Sequence, residues 1–169
     1  MKNALTTIAL TLAAATALAA SNNLDKSDKD FIEKAAAGGM MEVEAGKVVE
    51  TKAQNADVKS YGSTLVKDHS AANDELKSLA QSKGVTLPTS LPKHEQGELD
   101  KLSKAKNFDH EFLEHSVKDH KKDVKEFEKA SKSAKDPDVK AFAAKTLPTL
   151  QSHLKQAEDL EKSVKEKKS

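Results

Sequence analysis

Three histidines in this chain lie where long amphipathic helices are predicted to turn an apolar face inward. His69 and His120 each end a copy of the tetrapeptide Val-Lys-Asp-His, and His153 lies on the apolar face of a later helix. Titratable side chains normally avoid such faces, because burying one without a partner costs several kcal/mol. Three imidazoles directed at one core therefore predict either a hydrogen-bonded polar layer or a ligand site.

The predicted helices place these histidines and one carboxylate at similar heights. With a rise of about 1.5 Å per residue, His69 and His120 lie roughly 18 Å from the end of their helices. His153 and Glu44 lie roughly 24 and 20 Å from that end, if both helix hairpins turn on the same side. Imidazoles with a carboxylate suit a divalent transition metal such as Zn, Fe, Mn or Cu. We therefore predict a metal site formed by Glu44, His69, His120 and His153; the alternative is a layer of histidines hydrogen-bonded within the core.

Known catalytic patterns are absent from the sequence. A di-iron centre in a helical bundle needs Glu-x-x-His on two helices, but Val66, Val117 and Leu150 stand three residues before the three histidines. The chain has no G-x-S-x-G, no phosphate-binding loop and no H-E-x-x-H motif. No catalytic residue is predicted, and a binding protein is expected rather than an enzyme.

The residues near the core histidines are expected to play other parts. Asp68 and Asp119 each precede a core histidine but point about 100° away around the helix. They are expected to pair with lysines or to orient a neighbouring imidazole rather than to bind metal directly. The remaining histidines are expected to be exposed on the crossover or on flanking faces: His94, His110 and His115.

The composition narrows the classes of partner. The 28 basic residues are all lysines and are balanced by 27 acids, so there is neither a basic footprint for nucleic acid nor an arginine clamp. We expect no nucleic-acid partner; an envelope protein partner stays open, and the chain is expected to be a monomer or a weak oligomer. The absence of cysteine excludes a disulfide and a thiolate metal site and suits an oxidising compartment.

The N-terminus has the pattern of a secretory signal peptide. Lys2 precedes an apolar run over residues 4–18, and Ala17-Leu18-Ala19 is a small-x-small cleavage pattern. The run is shorter than the roughly 20 residues that span a membrane, and no mature segment is apolar enough to do so. We predict a cleaved peptide at residues 1–19 and export to the periplasm. Residues 20–27 are the predicted linker, 28–166 the folded domain and 167–169 a frayed tail.

Apolar residues spaced three and four apart predict four long helices, beginning near residues 28, 57, 108 and 137. Ser27 is the expected cap of the first helix, and Gly38-Gly39 within it predicts the close approach of another backbone. Gly84 ends the second helix. The similar openings DVKSY and DVKAF of the second and fourth helices hint at a duplication.

A longer connection separates the second helix from the third. Pro88 and Pro92 interrupt it, and a short amphipathic helix is predicted near residues 95–104. The sequence therefore predicts an all-α, ferritin-like four-helix bundle of two helix hairpins, joined by a longer crossover with a short extra helix.

Four segments, spread over about residues 28–160, together resemble a bacterial exported family known as domain of unknown function 4142. They are GGMMEVEAGK, DVKSYGSTLVKDHSAANDEL, FDHEFLEHSVKDH and FAAKTLPTLQSHL. The resemblance implies a ferritin-like four-helix bundle, in a family often labelled outer-membrane or periplasmic, and it implies no established activity.

Two functions stay open on the sequence. One is an envelope or stress protein that binds a metal ion or small ligand in its core. The other is a non-enzymatic scaffold or interaction protein whose core histidines are structural.

Overall fold

The computed structural model describes residues 24–166 of this chain. They form five helices and no strand: α1 (Lys26–Lys52), α2 (Ala56–Ser82), α3 (Lys93–Ser103), α4 (Phe108–Ser133) and α5 (Pro137–Glu166). The all-α class, the two hairpins and the crossover with a short extra helix are confirmed. The predicted signal peptide and the predicted tail lie outside the described residues.

The ends of the helices follow local capping chemistry. The Asp25 carboxylate accepts the N–H of Ser27 at 2.8 Å, so Asp25 rather than Ser27 caps α1, and α1 begins two residues before the predicted start. Gly84 follows α2 at φ 70°, the left-handed conformation expected of it. α5 begins at Pro137 as predicted, because proline is favoured in the first helical position.

The two hairpins, α1–α2 and α4–α5, turn at opposite ends of the bundle. The Asp109 carboxylate, at the start of α4, accepts the N–H of Asn55 in the α1–α2 turn at 2.8 Å. At the other end, the Asp28 carboxylate of α1 accepts the N–H of Asp136 in the α4–α5 turn at 2.7 Å. The expectation that both hairpins turn at one end is therefore wrong, and the crossover through α3 runs the length of the bundle.

These two contacts show that the halves of the bundle are equivalent. Asp109 stands 81 positions after Asp28, and Val139 stands 81 positions after Val58. Each aspartate closes the turn of the opposite hairpin with backbone N–H donors that would otherwise lack partners. The duplication suggested by the helix openings therefore extends to the contacts that hold the hairpins together.

The histidines lie in a layer between two apolar clusters. One cluster, which includes Leu65 and Val117, packs near the α1–α2 turn. The other, which includes Leu76 and Phe127, packs near the α4–α5 turn. His69 and His120 lie between these pairs along α2 and α4. Each histidine lies near the middle of a long helix. The three therefore share a layer although the two hairpins turn at opposite ends of the bundle.

Glycines allow α1 and α2 to approach closely, but at a different place from the one predicted. A Cβ at Gly46 would lie 2.8 Å from the carbonyl oxygen of Gly62, so the two backbones touch there. A Cβ at Gly38 would meet nothing within 4 Å, and one at Gly39 would meet the side chain of Asn73. The predicted backbone contact at Gly38-Gly39 is therefore wrong.

None of the helices between residues 24 and 166 has the length and apolar character needed to cross a membrane.

Candidate metal centre

His69, His120 and His153 converge from three different helices. One ring nitrogen from each lies within 4.8 Å of the other two, and the ring centroids are 5.2–5.6 Å apart. Their exposed fractions are 6%, 0% and 1%. Within residues 24–166 this is the group of histidine and carboxylate side chains close enough to hold one metal ion. We call these residues the histidine triad.

Hydrogen bonds fix the tautomers of two members of the triad. His120 Nδ1 lies 2.9 Å from the carbonyl oxygen of Ser116, which can only accept, so Nδ1 donates. His153 Nε2 lies 3.0 Å from the Asp68 carboxylate and donates to it. In neutral rings, His120 Nε2 and His153 Nδ1 therefore carry lone pairs. Both atoms are buried without a partner, as is His69 Nε2.

The triad is held in its neutral form. Burial lowers the pKa of His69 well below its ordinary value, and the neighbouring His120 and His153 lower it further because charging one ring disfavours charging the next. Burial also lowers the pKa of His120 and of His153, although the Ser116 carbonyl and Asp68 partly oppose it. At neutral pH the rings therefore offer uncharged nitrogens, the form that binds metal.

The structure does not bring Glu44 to the triad. The Glu44 side chain is 44% exposed and pairs with Lys47 at 2.7 Å. Glu42 is the carboxylate that turns inward, since residues two apart on a helix point roughly 200° apart. Glu42 is 3% exposed, and its Oε1 lies 3.7 Å from His120 Nδ1. It therefore faces the outer side of the His120 ring, away from the lone pair on Nε2.

Both aspartates of the repeated tetrapeptide orient an imidazole, which was one of the two parts expected of them. Asp68 binds His153 of the triad, whereas Asp119 lies 3.1 Å from Nδ1 of His115 outside the triad. His94 is 77% exposed as expected. The expected exposure of His110 and His115 is wrong, because their side chains are 26% and 21% exposed in the helical packing.

Sequence reasoning missed three residues of this region: Ser116, Glu42 and Asp123. Ser116 had a local signal, since it precedes His120 by one helical turn and its carbonyl can reach the ring. Glu42 and Asp123 stand 81 positions apart, at equivalent places in the two halves. The sequence does not reveal this equivalence, because the similar helix openings alone do not show that the duplication extends along the whole hairpin.

Burial and neighbouring negative charge perturb the two carboxyls. Burial raises the pKa of Glu42 to about 8, and the charge of Asp119 adds to the effect. Burial raises the pKa of Asp123 to about 7, with Glu42 as the next cause. No lysine of residues 24–166 lies within ion-pair distance of either carboxyl. The region beside the triad therefore gains negative charge whenever these groups ionise, and Lys122 offsets it only in part.

Solved structures share this fold. A DUF305 fragment from Deinococcus radiodurans has a TM-score of 0.70 at 14% identity, covering 83% of this chain and 98% of that one. CopM in its Cu(I)-bound form has a TM-score of 0.69 at 19% identity, covering 80% and 96%. CopM in the apo form has a TM-score of 0.67 at 19% identity, with 80% and 96% covered. At these identities the likeness shows the fold alone.

No curated protein matches this chain. The family model described as a domain of unknown function (DUF4142) matches residues 13–160, which include every element from α1 to α4, most of α5 and all three histidines of the triad. The chain belongs to this family.

Proposed function

We propose that this protein is an exported metal-binding protein that holds one transition-metal ion, copper foremost, at His69, His120 and His153. The observation that carries the proposal is the meeting of three buried nitrogens that have no hydrogen-bond partner. A buried polar atom without a partner destabilises a fold by about 1–3 kcal/mol. Three such atoms at one point are explained when a metal ion accepts their lone pairs.

The surroundings of the triad also suit a metal. Ligating histidines usually donate their second ring N–H to a carboxylate or a carbonyl, which fixes the ring and strengthens the donor. His153 does so to Asp68, and His120 does so to Ser116. A purely structural layer would place hydrogen-bond partners on the inner nitrogens too.

The donor set favours copper or zinc over manganese. Three imidazoles with no carboxylate in the same group suit copper and zinc, whereas manganese prefers oxygen ligands. Copper binds more tightly than zinc at a nitrogen site of given geometry. CopM, which shares the fold, is known in Cu(I)-bound and Cu(II)-bound forms, and this supports copper further.

Replacing Asp68 by Asn should weaken metal binding about 10- to 100-fold, the usual effect of removing the partner of a ligating histidine. Competition titration with a chromophoric chelator should give one Cu²⁺ or Zn²⁺ per wild-type chain and a weaker constant for D68N. The matched control is D74N, since Asp74 is exposed on the same helix. If the wild type binds no metal, the histidines are a structural layer. If D68N binds metal as tightly as the wild type, Asp68 does not position His153 for binding.

Export forms the second part of the proposal. It rests on Lys2, the apolar run that follows and the Ala17-Leu18-Ala19 pattern. Protein recovered from the periplasmic fraction should begin near residue 20. N-terminal sequencing tests this directly, and a chain that still begins at Met1 in that fraction would contradict the cleavage.

A further inference from the structure

The duplication leaves a cleft of about 480 Å³ beside the triad. The positions equivalent to His120 and His153, 81 residues earlier, are Gly39 and Ala72. Both line this cleft, as does Leu150, the equivalent of His69. One half of the bundle thus supplies imidazoles where the other half supplies small or apolar side chains. We call this space the acidic cleft.

Carboxylates dominate the lining of the acidic cleft, where they outnumber lysines eight to three. Glu42 and Asp123 stand at equivalent positions of α1 and α4, and both line the cleft. Asp119 lines it as well. The charge of Glu42 contributes to the raised pKa of Asp123, so these two carboxyls lie close enough to interact.

The cleft leads to the triad through a single histidine. Among the three, His69 lines the acidic cleft, whereas His120 and His153 lie behind it. His69 is 6% exposed, and its Nε2 is buried without a hydrogen-bond partner. A cation that enters the acidic cleft would therefore meet both the carboxylates of its lining and the imidazole of His69.

We propose that the acidic cleft is an outer cation site, in which Asp123 and the neighbouring carboxylates of the lining receive a hydrated divalent cation before it reaches His69 and the rest of the triad. Carboxylate oxygens and water suit a cation that keeps part of its hydration shell, whereas the imidazoles take it after dehydration. Negative charge in a cleft also raises the local concentration of cations and speeds their association. The role of the cleft as an entry site rests on the proposed function, because it requires a triad that binds metal. The binding of a cation in the cleft is independent of the triad.

The kinetic test compares D123N with E128Q. Both replace one carboxyl group on α4 by a neutral amide, but Glu128 does not line the acidic cleft. In stopped-flow mixing with Zn²⁺ at low ionic strength, D123N should slow association about fivefold or more, and E128Q less than about twofold. The equilibrium affinity of D123N should stay within about threefold, because the triad is intact and both rate constants fall together. Equal association rates for D123N and E128Q would overturn the entry role.

A second measurement examines the outer site without the triad. His153 does not line the acidic cleft, so H153A disables the triad and leaves the lining intact. Electron paramagnetic resonance should show one Mn²⁺ held weakly by H153A and lost in H153A/D123N, with folding of both checked by circular dichroism. Mn²⁺ binding that is absent, or unchanged by D123N, would overturn the outer site. If H153A holds Mn²⁺ in the cleft but the wild type binds no Zn²⁺, the outer site is supported and the proposed function is rejected.

Discussion

Adding Cu²⁺ or Zn²⁺ to the metal-free protein should raise its melting temperature by roughly 8 °C at a free metal concentration of about 100 times the dissociation constant. A ligand at that concentration stabilises the folded state that binds it by about 2.7 kcal/mol. In a domain of this size 1 kcal/mol shifts the melting temperature by about 3 °C. Because the triad forms only when α2, α4 and α5 are packed, the unfolded chain offers no comparable site. Circular dichroism or calorimetry with and without metal measures the shift.

The H120A variant should lose this rise, because it removes one of the three converging nitrogens. H94A is the control for a histidine outside the triad: the His94 imidazole is 77% exposed on α3, and although it lines the acidic cleft, its removal should leave the shift intact. His110 is a poorer control, since its Nδ1 is buried without a partner. A rise that persists in H120A would place the metal elsewhere. No rise in the wild type would favour structural histidines.

Acidification should weaken the metal effect, but only below the pH expected of an exposed imidazole. Protons compete with metal for the same lone pairs. Burial lowers the pKa of all three histidines, so this competition should begin below the ordinary value of about 6.5. The metal-induced rise should therefore persist at pH 7 and should shrink as the pH falls below about 6.

Replacing Glu42 by Gln should stabilise the metal-free protein at high pH. The folded-state pKa of Glu42 is raised to about 8, so the stability linked to its protonation is present below about pH 4.5 and is lost as the pH rises through 8. The glutamine side chain that replaces it stays neutral at every pH. One pKa unit corresponds to about 1.4 kcal/mol. At pH 9 the free energy of unfolding of E42Q should therefore exceed that of the wild type by about 3–5 kcal/mol. Urea unfolding at pH 5, 7 and 9 in the presence of a chelator measures the difference.

The matched control for this prediction is E44Q, two residues along the same helix. Glu44 is exposed and paired with Lys47, and an exposed pair contributes at most about 1 kcal/mol. The free energies of unfolding of E44Q and the wild type, plotted against pH, should therefore run parallel. The charge of Glu42 also helps to raise the pKa of Asp123, so the difference between E42Q and the wild type includes the removal of that effect. Parallel curves for E42Q and the wild type would show that Glu42 is charged in the fold at neutral pH.

The elements of this bundle were accessible from the sequence because they depend on local chemistry. Apolar residues at helical spacing, Pro137 at a helix start and Gly84 after a helix end each act within a few residues. The common height of His69, His120 and His153 was accessible for a similar reason. A residue near the middle of a helix is near the middle of the bundle, whichever way the helix runs.

The directions of the hairpins and the choice of the inward carboxylate needed the tertiary structure. Asp28 and Asp109 close turns more than 50 residues away, and no local pattern specifies such a partner. Glu42 and Glu44 both fall within the broad face that α1 could turn inward. Which of them does so depends on the rotation of α1 against α2, to which the close backbone approach at Gly46 and Gly62 contributes.

The sequence by itself determined that this protein is a helical bundle with three imidazoles in its middle layer. Only the packed structure decided that His153 binds Asp68, that His120 binds Ser116, and that the remaining nitrogens face one another without partners. The physical reason is that periodicity specifies which face of a helix is buried. The rotation and axial shift of one helix against another are set by many side-chain contacts acting together, and these decide which buried atoms meet.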